Sequence, residues 1–123
     1  VFHKNFDKKV YTFAAKISTH NPMIKKQFLK TKPVCKVTFS LPAEAVQSAE
    51  KVELVGEFSN WMNAPITMSK LKDGSFKATV ELEVGKDYQF RYVLDGSKWE
   101  NDWQADAYVP SAASYEDNSV VSL

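Results

Sequence analysis

The sequence predicts an all-β fold, an antiparallel β-sandwich of about seven short strands. Three observations predict it. Apolar and polar residues alternate from residue 34 onward, three of the four glycines fall in turn signals, and little of the chain reads as helix. A chain of 123 residues with 44% hydrophobic and 13% aromatic side chains suits one core.

Taken in order, residues 1–33 form a basic N-terminal extension, read as a tail or a short helix, and 34–123 form the sandwich. The extension mixes lysines with Phe2, Phe6, Tyr11, Phe13 and Ile17 and shows no steady period. Met23 lies just upstream of the first clear strand, and no function is assigned to residues 1–22. "VCKVTFSL" alternates around Val37, Phe39 and Leu41. "PAEAVQSAEK" has room for one helical turn, and "KVELVGEF" is the next strand. "GSFKATVELEV" sets Phe76, Ala78, Val80 and Leu82 on one face, with Lys77, Thr79 and Glu81 on the other. The signals "KDGS", "EVGKD" and "LDGSK" then predict a meander of hairpins through strands 75–83, 87–94 and 98–103. "NSVVSL" is the last strand.

Charge excludes several classes of function. Residues 1–36 hold nine lysines and one aspartate, a net +8, whereas 37–123 hold seven basic and fourteen acidic residues, a net −7. Phosphate contact needs a basic surface, so the acidic body is no nucleic-acid binder. No apolar run approaches the ~18 residues that span a bilayer. Cys35 has no intrachain disulfide partner, which suits a reducing compartment, and the cytoplasm is the expected location. One thiol with His3 and His20 makes no zinc site, and glycine-rich phosphate loops are absent, so neither metal nor cofactor is expected.

Candidate functional residues come from parity. With Tyr88, Phe90, Tyr92 and Leu94 facing the core, Gln89, Arg91, Val93 and Asp95 must face outward, which puts Arg91 on an open sheet face. Beyond the Asp95-Gly96 turn, Trp99 returns along the neighbouring strand toward that face. Trp61, in the turn-rich stretch "GEFSNWMNAPITM", comes from an adjacent loop. Flat indole faces beside a fork of donors suit sugars, whose C–H face stacks on the ring while polar groups bind the hydroxyl edge. Trp103 is assigned to the core. The acidic run "WENDWQAD" supplies Glu100, Asp102 and Asp106, read as a solvated loop rather than a glycosidase pair.

The runs "VELVGEFSNW", "DGSFKATVEL", "YQFRYVLDGSKW" and "DNSVV" together resemble the family 48 carbohydrate-binding modules. These are the glycogen-binding domain of the AMP-activated kinase β subunit and the isoamylase-type N-terminal domain of family 13 glycoside hydrolases. The resemblance covers about residues 34–123 and implies an immunoglobulin-like early-set β-sandwich. It further implies that Trp61, Arg91, Trp99 and Asn118 contact α-glucan. Gln89 or Lys98 is expected at the rim of such a site. One extra residue separates Gly96 from Trp99, and the loop "PSAASYEDN" lacks the leucine of the kinase subunit, which leaves Tyr115 as the candidate wedge.

The function expected is noncatalytic binding of α-1,4-glucan, whether glycogen, starch or maltooligosaccharide, with a glucan-metabolising enzyme as a further partner. The alternative is a structural or protein-interaction module, related to the N-terminal domain of family 13 hydrolases, without sugar affinity. A third reading makes the chain the leading piece of a longer hydrolase.

Overall fold

The computed structural model describes residues 22–112 and 115–123. Among them the chain forms ten strands in two antiparallel sheets that enclose one apolar core. In chain order these are β1 (Ile24–Phe28), β2 (Val34–Leu41), β3 (Val52–Gly56), β4 (Ile66–Thr67), β5 (Ser69–Lys70), β6 (Phe76–Glu83), β7 (Asp87–Leu94), β8 (Lys98–Glu100), β9 (Ala107–Pro110) and β10 (Asp117–Ser122). One sheet runs β1-β2-β6-β5, and the other runs β4-β3-β7-β10-β9 with β8 also on β7.

The alternation decides which sides meet. Cys35, Val37, Phe39 and Leu41 of β2 are fully buried, and the register places Val37 opposite Val80 and Phe39 opposite Ala78, so both strands turn one face inward. From the other sheet come Leu54, Phe90 and Tyr92. Phe39 and Phe90 meet edge to face across the sandwich with centroids 4.9 Å apart. The short helix α1, Ala43–Val46, follows Pro42 and buries Ala45 and Val46.

Four expectations are corrected. The stretch read as a tail or short helix contains β1, paired antiparallel with β2 from Ile24↔Phe39 to Phe28↔Cys35. Residues 1–21 lie outside the described residues. Short edge strands bring the total above the seven expected. The meander is broken at Val84–Lys86: β6 pairs with β2 and β5, whereas β7 pairs with β3, β8 and β10. That turn carries the chain from one sheet to the other, which lets both strands face the same core. Finally, the strand expected over 98–103 stops at Glu100. Trp103 therefore reaches the core from a turn, where it packs against the apolar cluster as assigned.

One edge of β7 is shared in a way that shapes the site. β3 takes one side over 90–94, while on the other side β10 takes 87–90 and β8 takes 92–94. Arg91 falls at the junction of the two.

Candidate functional site

The loop that presents Trp61 is built by its neighbours. Gly56 ends β3 where a Cβ would come within 2.6 Å of Gln89 O and 2.8 Å of Phe90 Cβ, so only glycine lets the strand approach β7 this closely. Phe58 then turns back to the core, 5.7 Å from the Phe39 ring. The Ser59 hydroxyl accepts from Gly56 N at 3.1 Å and lies 3.0 Å from Trp61 O, to which it donates. Asn60 and Trp61 both adopt left-handed backbone, φ 53° and 57°. That conformation costs energy for a bulky side chain.

Trp99 arrives by the hairpin at Asp95-Gly96, again left-handed at both residues, and pairs with Val93 in β8. Asp95 Oδ1 accepts from Glu50 N and Lys51 N, both at 3.0 Å, which ties the hairpin to the strand entering β3. Trp99 is 38% exposed, and Arg91 Cζ lies over its indole, 5.7 Å from the ring centroid.

Parity is as read from the sequence, because Arg91 registers with Val55 on the outward side of β7. The expectation of an open face there is corrected. Arg91 is only 5% exposed, and Val55 and Val93 beside it are fully buried apart from the main core cluster. Its Nε donates to Asn118 Oδ1 at 2.6 Å and its Nη2 to Glu116 O at 3.0 Å, while Nη1 lies 3.7 Å from Glu116 Oε1. Asn118, also 5% exposed, donates from Nδ2 to Gln89 Oε1 at 2.9 Å. The guanidinium and amide therefore hold one another.

All seven residues singled out in the sequence, Trp61, Gln89, Arg91, Lys98, Trp99, Tyr115 and Asn118, line one open cavity of about 1110 Å³. Trp61 is half-buried there, and Tyr115 stands fully exposed at the edge. Sequence reasoning passed over Glu57, Ser97, Ser111, Ala112 and Glu116, which complete the lining. Glu57 carried a signal: it is an acidic residue at a strand end, four positions before Trp61. Its Oε1 accepts from Gln89 N at 2.8 Å.

The acidic run is a second correction. Asp102 is fully buried rather than solvated; its Oδ2 accepts from Tyr92 Oη at 2.7 Å and its Oδ1 from Gln104 N at 2.7 Å. Burial pushes its carboxyl up to about 7, against the pull of those bonds, and burial and the neighbouring carboxylate push the Tyr92 hydroxyl up as well. Asp106 instead pairs with Lys26 at 2.8 Å and ties the β1 edge to the opposite sheet. The two aspartates thus serve different parts of the fold.

A two-sheet sandwich with a cavity of aromatic, amide and charged groups over one sheet defines a small binding module. A family profile for the glycogen recognition site of AMP-activated protein kinase matches residues 44–121, and the chain belongs to that family. The matched domain is a binding module, and membership supports carbohydrate binding. No curated protein matches. Among solved structures, the ferric enterobactin esterase of Salmonella typhimurium superposes with TM-score 0.65 at 10% identity, over 81% of this chain and 34% of its own. The enterobactin esterase of Shigella flexneri gives 0.66 at 10% identity, over 88% and 34%. The catalytic module of the glycogen-degrading pneumococcal virulence factor SpuA gives 0.54 at 14% identity, over 92% and 18%. These likenesses show the fold, and the chain spans about a third of the esterases' length. No helix among the described residues is long and apolar enough to cross a membrane.

Proposed function

We propose that the chain is a noncatalytic module that binds α-1,4-glucan, in glycogen, starch or maltooligosaccharides, in the cavity between Trp61 and Trp99. The observation that carries this reading is that two tryptophans, Trp61 from the loop after β3 and Trp99 from β8, line one cavity together with Gln89, Arg91 and Asn118. The C–H face of a glucosyl ring is attracted to an indole face, with each contact contributing on the order of 1 kcal/mol beyond buried area. The Arg91 guanidinium beneath Trp99 holds that ring without occupying all of its surface. Lys98 and Tyr115 lie at the rim, with Tyr115 as a wedge against the glucan chain. A shallow site with two stacking rings corresponds to a Kd of roughly 0.1 to 1 mM.

Titration of maltoheptaose followed by backbone amide shifts tests the reading. Saturable shifts around the cavity are expected in the wild type and absent in the Trp61→Ala, Trp99→Ala double variant. No response at several millimolar sugar would rule it out.

A second reading has its own support, since Arg91 and Asn118 are nearly buried and already hydrogen-bonded to one another. It makes the chain an interaction module that docks on a glucan-metabolising enzyme without touching sugar. Capture of such an enzyme by the double variant, together with a silent maltoheptaose titration, would favour it.

A further inference from the structure

The hydrogen bonds beneath the cavity run in one direction, and the direction has a chemical origin. A guanidinium donates and never accepts, so Arg91 Nε obliges Asn118 to present its Oδ1. The Asn118 Nδ2 must then point the other way, where it donates to Gln89 Oε1 at 2.9 Å. Gln89 is left with Nε2 as its outer group, and among the described residues that nitrogen meets no acceptor. Arg91, nearly buried, thereby sets the orientation of both amides.

Beside this donor stands an acceptor. Gln89 N donates to Glu57 Oε1 at 2.8 Å, which keeps the carboxylate at the base of the Gln89 side chain. Among the described residues no second group bonds the Glu57 carboxylate. Both side chains line the cavity; Gln89 is half-buried, and Glu57 is exposed.

We infer that Gln89 and Glu57 form a donor–acceptor pair that reads two hydroxyls on neighbouring carbons of a glucosyl unit. One hydroxyl accepts from Gln89 Nε2, and the other donates to Glu57. This rests on the glucan reading above and assigns its polar recognition to residues other than Arg91 and Asn118, which become positioning residues. The chemistry selects the hydroxyls. Within a 1,4-linked chain the C4 oxygen is spent in the linkage, so the only free pair on adjacent ring carbons is at C2 and C3.

The test titrates wild type, Glu57→Gln and Gln89→Met with maltotetraose and with its analogues deoxygenated throughout at C2 or at C3. Glu57→Gln keeps an oxygen for Gln89 N, and Gln89→Met keeps the shape of the side chain, so both variants should fold. Wild type is expected to prefer maltotetraose over each analogue about ten-fold. Each variant should bind maltotetraose about ten-fold more weakly and lose its discrimination against one analogue. A residue that merely holds the loop would weaken all three sugars by one factor, and that outcome overturns the assignment. Wild type that binds maltotetraose and both analogues alike overturns it too, while leaving glucan binding intact. Wild type that binds none of them overturns the glucan reading and this assignment together.

Discussion

Arg91 donates to Asn118 Oδ1 across 2.6 Å, and both side chains are nearly buried on the outward face of the second sheet. A bond between a charged donor and a buried acceptor is worth more than a neutral one, and leaving the acceptor alone costs its desolvation.

Arg91→Ala is therefore expected to destabilise the fold by about 2–3 kcal/mol, far beyond what an exposed arginine would cost. Arg91→Lys should fall between, because an ammonium keeps the charge but cannot reach both Asn118 and the Glu116 carbonyl as a planar fork. Urea denaturation measures both. An alanine variant within a few tenths of a kcal/mol of wild type would mean that the pair is not buried in solution.

The tryptophans divide by stability. Trp103 packs against the core, and its replacement by alanine should cost about 3 kcal/mol while leaving the cavity intact. Trp99 is partly exposed with Arg91 over its ring, so Trp99→Ala should cost about 1 kcal/mol. In the proposed site the ranking reverses for glucan affinity. Paired denaturation and maltoheptaose titrations of the two variants check this, and equal losses in both assays would contradict the division.

Asp102 predicts a pH dependence with a definite sign. Burial raises its carboxyl from the ordinary 3.8 to about 7 in the folded protein, and unfolding returns it to the ordinary value. Between about pH 4 and 7 the native state therefore holds the extra proton. This group's contribution to stability is fully present below about pH 4 and is lost as pH rises through about 7, a change on the order of 4 kcal/mol. Asp102→Asn cannot ionise, so its stability relative to wild type should improve as pH rises across that window. Urea denaturation of both proteins from pH 4 to 8 is the measurement, and parallel profiles would count against the assignment.

Two glycines should fail for different reasons. Gly56→Ala forces a Cβ against backbone of β7 and should cost about 2 kcal/mol, with amide shifts spreading into the Trp61 loop. Gly96 has open space around it but φ of +75°, so Gly96→Ala should cost only about 1 kcal/mol of backbone strain. Thermal denaturation orders the two, and the reverse order would refute the steric account.

Much of the fold was legible because a pleated strand writes its burial into neighbouring residues. β2 and β6 each alternate in burial over eight residues, and β7 alternates in residue type, with Tyr88, Phe90, Tyr92 and Leu94 on the core side. β1 was hidden because "IKKQF" turns Lys26 to the inward side, where its partner is Asp106, 80 residues away. The end of β8 was hidden because Asn101 and Asp102 leave the pleat for a buried set of bonds with Tyr92, Asp117 and Ser119. No local period reports either event.

The candidate site divides along the same line. Composition, parity and turn chemistry determined that the chain is an antiparallel sandwich, that Arg91 faces away from the core, and that Trp99 on the neighbouring strand and Trp61 in a loop stand beside it. Tertiary structure alone decided that Arg91 and Asn118, 27 residues apart, are enclosed and hold one another, and that Gln89 and Glu57 are left with bonding capacity at the cavity. The reason is physical. Which way a strand residue points is set by its own backbone, whereas whether a polar group there is exposed, paired or spent depends on which distant segments fold over it.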